Sequence, residues 1–126
     1  MSKPLAIFLG ACFLVSSGLI SAAAHAGDAA AGKKVFKKCK ACHYAAKDKN
    51  KTGPHLVNLI GREAGTVEGY KYSKAMKSSG IVWDEDMLTA YLRAPKKYLK
   101  GTKMAFAGLR KDADIANVIA YLKTQP

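Results

Sequence analysis

The stretch KKCKACHYAA, residues 37–46, places two cysteines and a histidine within five residues. Cys39 and Cys42 are three positions apart, and His43 follows directly. Three chemistries use this spacing: a redox dithiol, half of a zinc site, and an attachment point for haem. In the haem case both thiols form thioethers with one porphyrin edge, and the adjacent imidazole binds the iron. Because each chemistry requires a different fold around it, this motif constrains the chain more than any other feature.

The first 26 residues have the pattern of a secretory signal peptide. Lys3 gives a positive start, residues 5–20 are mostly apolar, and Ala24-His25-Ala26 has small residues at both positions of an A-x-A cleavage site. An uncleaved membrane anchor is the alternative, but the apolar run is short for a span and is interrupted by polar residues. We therefore predict a signal peptide over residues 1–26, cleaved after Ala26, and a mature domain over residues 27–126.

Cleavage changes the cysteine count, because Cys12 leaves with the signal peptide and only Cys39 and Cys42 remain. Residues 9–12 also resemble a lipoprotein processing box, but the apolar stretch before them is too short for a typical one. An exported protein lies where disulfides can form. A disulfide closing so small a ring would remove little chain entropy, so a purely structural disulfide is a weak interpretation.

Basic side chains outnumber acidic ones in this chain, 21 to 9, and the formal net charge is +12. Loss of Lys3 with the signal peptide lowers this charge by one. Such an excess favours acidic partners, meaning an acidic protein surface, an anionic membrane or nucleic acid. A single domain this short buries a limited fraction of its surface, and a large apolar cofactor would add to its core.

The mature chain is predicted to be all-α, with about five short helices and long loops. Capping residues and apolar periodicity predict four helical segments. The first covers residues 29–38 after Asp28, and the second covers residues 73–78. The third runs from Asp84 to Pro95 and continues briefly to Tyr98, and the last begins at Asp112. Apolar faces are expected in the last two main helices at Met87, Leu88, Tyr91 and Leu92, and at Ile115, Val118, Ile119 and Leu122. The outer face of the last helix carries Asp114, Asn117 and Lys123. No segment alternates strongly enough to predict a strand.

The three chemistries of the cysteine motif differ in what else they require. A thioredoxin-type dithiol needs a βαβ setting, and no strand is predicted. Zinc needs four ligands, whereas the only other histidine of the mature chain is His55, in a loop. Covalent haem needs only the five-residue motif in an exported chain, so covalent haem is the favoured interpretation.

The sixth ligand of the iron decides what such a haem does, since an open position suits gas binding or peroxide chemistry and a His/Met pair suits electron transfer. Met76, Met87 and Met104 are the methionines of the mature chain. Met87 lies on an apolar helix face and is interpreted as core filler. Met76 lies in a short polar helix. Met104 lies in an irregular segment that can present a side chain freely, and we predict it as the ligand.

Over nearly the whole mature domain the chain resembles class I cytochromes c, most closely the bacterial cytochrome c2 type related to mitochondrial cytochrome c. The matching segments, in family order, are GKKVF (32–36), CKACH (39–43), TGP (52–54), GR (61–62), GYKYS (69–73), GIVW (80–83), YL (91–92), PKKY (95–98), GTKMAFAG (101–108) and IAYL (119–122). The resemblance implies a class I cytochrome c fold wrapped around one covalently bound haem.

Carried over position by position, the resemblance implies thioethers at Cys39 and Cys42 and axial ligands at His43 and Met104. The carbonyl of Pro54 would accept the ring N–H of His43. The haem propionates would be surrounded by Arg62, Tyr70, Tyr72, Ser73 and Trp83. The Met104 side of the haem would be flanked by Tyr91 and Thr102. The first and last helices would cross where Gly32 and Phe36 meet Tyr121 and Leu122.

Three positions depart from the family pattern. His55 stands where asparagine is usual and is interpreted as a surface substitution. Met76 occupies a position where the family often has asparagine near the haem interior. Lys100 replaces a usual proline before Gly101, which would loosen the Met104 loop.

The resemblance implies a soluble periplasmic single-electron carrier that is not an enzyme. Its donor would be a bc1-type complex, and its acceptor a terminal oxidase, a photosynthetic reaction centre or a reductase. It would bind no nucleic acid, would not insert stably into a membrane and would be a monomer. The acidic surfaces of its redox partners would meet a ring of lysines around the haem edge: Lys37, Lys38, Lys40, Lys51, Lys96, Lys97, Lys100 and Lys103.

Two rival functions remain at the level of sequence. The first is an enzyme such as a periplasmic haem peroxidase, which would work at a vacated sixth position of the iron. The second is a basic module that binds membrane or nucleic acid and uses haem only for stability. It lacks a helix rich in both basic and aromatic residues, which ranks it last.

Overall fold

Short helices joined by long loops make up the part of the chain that the computed structural model describes, residues 26–126. The α-helices are α1 (Ala29–Val35), α2 (Lys74–Lys77), α3 (Glu85–Arg93), α4 (Pro95–Tyr98) and α5 (Asp112–Lys123). Within residues 26–126 there is no strand, only an isolated antiparallel bridge between Glu63 and Val82. The predicted all-α class with about five short helices is confirmed.

The predicted signal peptide lies outside the described residues, except for Ala26, and remains a prediction. Over the described range, every helix is too short or too polar to cross a membrane.

Side-chain caps start three of the helices as the sequence predicts. The Asp28 carboxylate accepts the Ala30 N–H at 2.8 Å at the start of α1. The Ser73 hydroxyl caps α2 and the Asp84 carboxylate caps α3, accepting the N–H groups of Met76 at 3.1 Å and Met87 at 2.7 Å. Each cap satisfies a backbone donor that the first helical turn leaves without a partner.

The first helix is shorter than its predicted range of residues 29–38. It ends at Val35 and continues as one turn of 3₁₀ helix, Phe36–Lys38. Tightening into a 3₁₀ turn is a common way for a helix end to satisfy its last carbonyls. Cys39 directly follows this 3₁₀ turn, so the end of the helix fixes the position at which the cysteine motif begins.

The crossing of α1 and α5 depends on Gly32. A Cβ atom at this position would lie 1.8 Å from the carbonyl oxygen of Asn117 and 2.8 Å from the Cβ of Tyr121. One turn further along, the rings of Phe36 and Tyr121 lie 5.3 Å apart. The predicted meeting of these helices is therefore confirmed, and its closeness requires a residue without a side chain.

The core lies between α3, α5 and the loops, and it departs from the predicted faces at two positions. Met87 was expected in the core but is 40% exposed, and its sulfur accepts the Tyr98 hydroxyl at 2.8 Å. It lies about 100° around α3 from Leu88, beyond the edge of the stripe that packs on α5. Asn117 was expected on the outer face of α5. It is half-buried, and its side-chain oxygen accepts the Asp28 N–H at 2.8 Å because α1 covers that side.

Candidate functional site

One cavity of about 320 Å³ opens between the helices and the long loops. It is lined by every residue predicted for the site: Cys39, Cys42, His43, Pro54, Arg62, Tyr70, Tyr72, Ser73, Trp83, Tyr91, Thr102 and Met104. Segments far apart in the sequence therefore converge here. Lys38, Arg62 and Lys103 are the basic residues of the lining besides His43, and no aspartate or glutamate of the described chain belongs to it.

The two cysteines reach the cavity because the chain keeps turning after α1. The N–H of Cys39 donates to the carbonyl of Phe36 at 2.8 Å, and the N–H groups of Cys42 and His43 each donate to the carbonyl of Cys39 at 3.0 Å. Cys39 is half-buried and Cys42 is exposed. Burial raises the pKa of the Cys39 thiol, and the nearby Lys38 opposes this shift in part. Both thiols and the imidazole therefore share one wall of the cavity.

The His43 ring is held in a defined orientation. Its Nδ1 lies 2.7 Å from the carbonyl oxygen of Pro54. A carbonyl can only accept, so Nδ1 carries the proton and Nε2 keeps its lone pair for a metal. Burial is the main cause that lowers the pKa of His43, while the Pro54 bond opposes it. The neutral imidazole, which is the form that binds metals, is thereby favoured.

Gly53 lets the backbone approach this ring closely. A Cβ atom there would lie 2.4 Å from Cε1 and 2.8 Å from Nδ1 of His43. The N–H of Gly53 donates to the carbonyl of Cys42 at 2.8 Å, which ties the loop to the cysteine turn. The Thr52-Gly53-Pro54 segment therefore packs against the His43 ring and holds it in place.

Met104 lines the same cavity from the irregular segment after α4. Its N–H lies 3.4 Å from the hydroxyl oxygen of Thr102, which in turn lies 2.9 Å from the hydroxyl of Tyr91. Tyr91 is buried, and this burial raises its pKa, while the bond to Thr102 opposes the shift. A hydrogen-bonded chain thus connects α3 with the loop that carries Met104.

A polar group of the lining surrounds Arg62. Its guanidinium donates to the carbonyls of Val57 at 2.8 Å and His55 at 3.0 Å. Burial lowers the pKa of Arg62, and Tyr72 opposes this shift. The Tyr72 hydroxyl accepts the Val67 N–H at 3.2 Å, and burial raises the pKa of Tyr72. Arg62 and Tyr72, two members of the predicted propionate group, thus lie near each other in the lining of the cavity.

The remaining members of this group have additional roles in the fold. The Ser73 hydroxyl caps α2. The Tyr70 hydroxyl donates to the carbonyl of Thr52 at 2.9 Å. The Trp83 ring is buried and lies 5.0 Å from the ring of Tyr91.

Sequence reasoning did not assign the apolar walls of the cavity. They are formed by Phe36, Leu56, Leu59, Leu88, Leu92, Phe106, Val118 and Leu122. The helical members could have been found from their apolar stripes, but Leu56, Leu59 and Phe106 lie in loops without periodicity. The sequence signal that could have found these loop residues is an unusually large number of apolar side chains in irregular segments, since solvated loops carry few.

His55 corrects one prediction. It was interpreted as a surface substitution, yet its side chain is only 14% exposed. Its ring contacts Asp48, and its carbonyl accepts from Arg62. A residue inside a loop becomes half-buried when other loops cover part of it, which local sequence does not reveal.

The cavity combines apolar walls with a neutral imidazole, a thioether and two thiols on one turn. These groups suit a large, flat, metal-bound macrocycle. The donors match the chemistry of haem c: thioethers from the cysteines, and nitrogen and sulfur for iron. The fold and the site thus define a c-type haem protein.

Comparison with known proteins agrees with this assignment. The cytochrome c family model matches residues 29–126, and the chain belongs to the cytochrome c family. It is 52% identical over 97 residues to cytochrome c-550 of Nitrobacter winogradskyi, covering 76% of this chain and 89% of that protein. It is 46% identical over 112 residues to cytochrome c2 of Blastochloris viridis, covering 88% and 87%.

The fold is also similar to that of a solved structure, cytochrome cH from Methylobacterium extorquens. The TM-score is 0.75 at 47% sequence identity, and the match covers 79% of this chain and 100% of that chain. Proteins of the family are electron carriers, not enzymes, and bind haem c covalently through cysteine. Cys39 and Cys42 are the attachment residues here. The predictions of a class I cytochrome c, its fold and its cofactor are confirmed.

Proposed function

We propose that the protein is a soluble periplasmic carrier that moves single electrons between membrane redox complexes, with His43 and Met104 as the axial ligands of its haem. The observation that carries this proposal is that the imidazole and the thioether line the same cavity as Cys39 and Cys42. When bound, the haem supplies a one-electron Fe(III)/Fe(II) couple. Binding of the iron by both His43 and Met104 would leave no open position for a substrate, which suits electron transfer.

The chain's own residues set the properties of that couple. The Pro54 carbonyl orients His43 and makes it a stronger donor. The Tyr91–Thr102 pair supports the backbone next to Met104. Apolar walls exclude water, and burial together with a sulfur ligand raises a reduction potential. Arg62, Tyr72, Ser73 and Trp83 would hold the propionates, whose charge the Arg62 guanidinium would offset.

The ligand assignment has a spectroscopic test with a matched control. The oxidised protein is expected to show the charge-transfer band of an Fe(III)–S(Met) bond. Met104→Leu should abolish this band, whereas Met76→Leu should keep it, although both methionines line the cavity. A high-spin spectrum of the unmodified protein would contradict the proposal and support a peroxidase-like site. Loss of the band in Met76→Leu alone would reassign the ligand.

Export is supported by the way the domain begins. Gly27 packs on α5 so closely that a Cβ atom would lie 2.0 Å from the carbonyl oxygen of Ala116. The next residue, Asp28, donates its N–H to Asn117. Ala26 is exposed. The packing of Gly27 and Asp28 on α5 supports cleavage before Gly27. N-terminal sequencing of the periplasmic protein should give Gly27 as the first residue.

The proposed partners are redox proteins with acidic surfaces, a bc1-type complex as donor and an oxidase, reaction centre or reductase as acceptor. The eight lysines predicted for the haem edge are all exposed, and Lys38 and Lys103 line the cavity itself. A positive rim around the site would attract an acidic partner and orient it before electron transfer.

A further inference from the structure

The guanidinium of Arg62 is held by two peptide groups of the loop that follows Pro54. It donates to the carbonyl oxygen of His55 at 3.0 Å and to that of Val57 at 2.8 Å. The backbone N–H of Arg62 donates to the carbonyl of Leu59 at 3.1 Å, in the same loop. The position of Arg62 in the lining of the cavity therefore depends on how firmly these carbonyls are held.

The first of the two peptide groups is fixed by the turn that carries the attachment motif. It joins His55 to Leu56, and its N–H donates to the carbonyl oxygen of Tyr44 at 2.8 Å. Tyr44 directly follows His43 in the chain. Both ends of this peptide group are therefore engaged, the N–H by Tyr44 and the carbonyl by Arg62.

The second peptide group is fixed by a residue beyond the end of α5. It joins Val57 to Asn58, and its N–H donates to the carbonyl oxygen of Pro126 at 2.6 Å. A hydrogen bond at the N–H polarises a peptide group and strengthens its carbonyl as an acceptor. Pro126 therefore acts on the same peptide group that accepts the Arg62 guanidinium.

The backbone of Asn58 needs support from outside its own loop. Its φ is 51°, and among residues 26–126 it is the only residue other than glycine with a positive φ. This left-handed conformation is unfavourable for an L-residue, although asparagine tolerates it better than most. The bond from Pro126 thus stabilises a turn that the local sequence does not strongly favour, and without it the peptide group before Asn58 would rotate more freely.

The segment that carries Pro126 is itself anchored to α5. The N–H of Thr124 donates to the carbonyl of Tyr121 at 3.0 Å, and the N–H of Gln125 donates to that of Leu122 at 3.2 Å. Leu122 is buried and lines the cavity. Residues 124–126 therefore form a short strap that joins the end of α5 to the loop that holds Arg62.

We propose that Pro126 is a positioning residue for Arg62, acting through the peptide group between Val57 and Asn58. The inference rests on the proposed function, in which the Arg62 guanidinium offsets the charge of the haem propionates. A positive charge held close to the haem favours the reduced form, which carries one positive charge fewer. Loss of the strap would leave the guanidinium less ordered and more screened by water, so the midpoint potential would fall.

Two variants separate the Pro126 carbonyl from the rest of the residue. A chain that ends at Gln125 lacks this carbonyl, whereas Pro126→Ala keeps it. Asn58 and Pro126 are both exposed, so neither change opens the core. Voltammetry of the holoproteins at fixed pH and ionic strength should give a lower midpoint potential for the shortened chain than for Pro126→Ala. Equal potentials in these two variants would overturn the proposal.

The same shortening in an Arg62→Gln background tests the route of the effect. If the strap acts through the guanidinium, ending the chain at Gln125 should produce no further fall in the potential of Arg62→Gln. An equal fall with and without Arg62 would show that the strap acts on the haem in another way, and would refute the positioning role.

Hydrogen exchange of the guanidinium, followed by NMR, leaves Arg62 itself unchanged. Its N–H protons should exchange faster in the shortened chain than in Pro126→Ala, and equal exchange rates would contradict the proposal. Gly80→Ala controls for a general loss of stability, because Gly80 has a φ of 66° and open space around it. This control should leave both the potential and the exchange unchanged, and the same shifts in it would count against the strap.

The Fe(III)–S(Met) band tests the proposed function separately. A shortened chain that keeps this band and has the potential of Pro126→Ala would retain the proposed function and lose only this inference. Absence of the band from the unmodified protein would instead contradict the proposed function.

Discussion

Tyr91 shows how burial of a single residue makes stability depend on pH. Burial raises its pKa, and the bond to Thr102 does not cancel that shift. A tyrosine in the unfolded chain titrates near a pKa of about 10. Above that pH the unfolded state releases a proton that the folded state still holds, so stability is present below it and falls as the pH rises.

We therefore expect the free energy of unfolding to decrease above about pH 10, and to decrease less steeply in Tyr91→Phe. Denaturant unfolding at several pH values measures this slope. Some of the slope should remain in Tyr91→Phe, since burial also raises the pKa of Tyr72. An identical slope in Tyr91→Phe and the unmodified protein would show that Tyr91 does not titrate differently in the two states.

A second prediction at the residue scale concerns the close contact between Gly53 and the His43 ring. In Gly53→Ala the new Cβ would lie 2.4 Å from the His43 ring, so either the ring or the loop must move. The variant should lose stability by about 1–3 kcal/mol, the usual cost of overpacking, and should show altered haem absorption.

Gly80→Ala is its control. Gly80 has a φ of 66° with open space around it, so its substitution strains the backbone without touching the site. We expect it to cost about 1–2 kcal/mol and to leave the absorption spectrum unchanged. If Gly80→Ala altered the spectrum as much as Gly53→Ala, the close approach to His43 would not be the cause.

At the scale of elements, the close crossing of α1 and α5 is expected to contribute strongly to the stability of the folded domain. Gly32→Ala would bring a Cβ within 1.8 Å of the Asn117 carbonyl oxygen and force the helices apart. We expect a loss of about 3 kcal/mol or more, at or beyond the upper end of overpacking effects, measured by denaturant unfolding. Lys33→Ala, at the exposed neighbouring position, should change stability by less than about 0.5 kcal/mol. Similar losses in both variants would rule out the crossing as the reason.

At the scale of the whole molecule, charge is distributed unevenly about the cavity. No acidic residue of the described chain lines it, whereas Lys38 and Lys103 do. Electron-transfer rates with an acidic redox partner should therefore fall as ionic strength rises, by about 10- to 10³-fold between low and high salt. Stopped-flow mixing measures these rates.

Two variants with the same change in charge test where the effect originates. The first variant is Lys38→Glu, because Lys38 lines the cavity. The second is Lys33→Glu, because Lys33 is exposed on α1 and does not line the cavity. Lys38→Glu should slow the reaction at low salt more than Lys33→Glu does. Equal effects would indicate that net charge alone attracts the partner, and rates independent of salt would exclude the lysine ring.

The local features of this protein were predictable from its sequence. Helix starts follow from Asp28, Ser73 and Asp84, because a cap bonds to backbone groups within three residues of itself. The apolar stripe of α5 follows from the helical period. Cys39, Cys42 and His43 form one attachment motif because a single turn of chain holds all three.

Only the tertiary structure decided which side chains are buried where elements and loops meet. Met87 was wrongly predicted in the core because the edge of the α3 stripe depends on where α5 packs. His55 was wrongly placed at the surface because the loop carrying Asp48 and the turn carrying Arg62 fold over it. The cavity itself joins segments separated by most of the chain, and no local pattern contains their distances. The sequence alone thus determined where the helices start and which cofactor is bound, and long-range packing determined the environment in which that cofactor works.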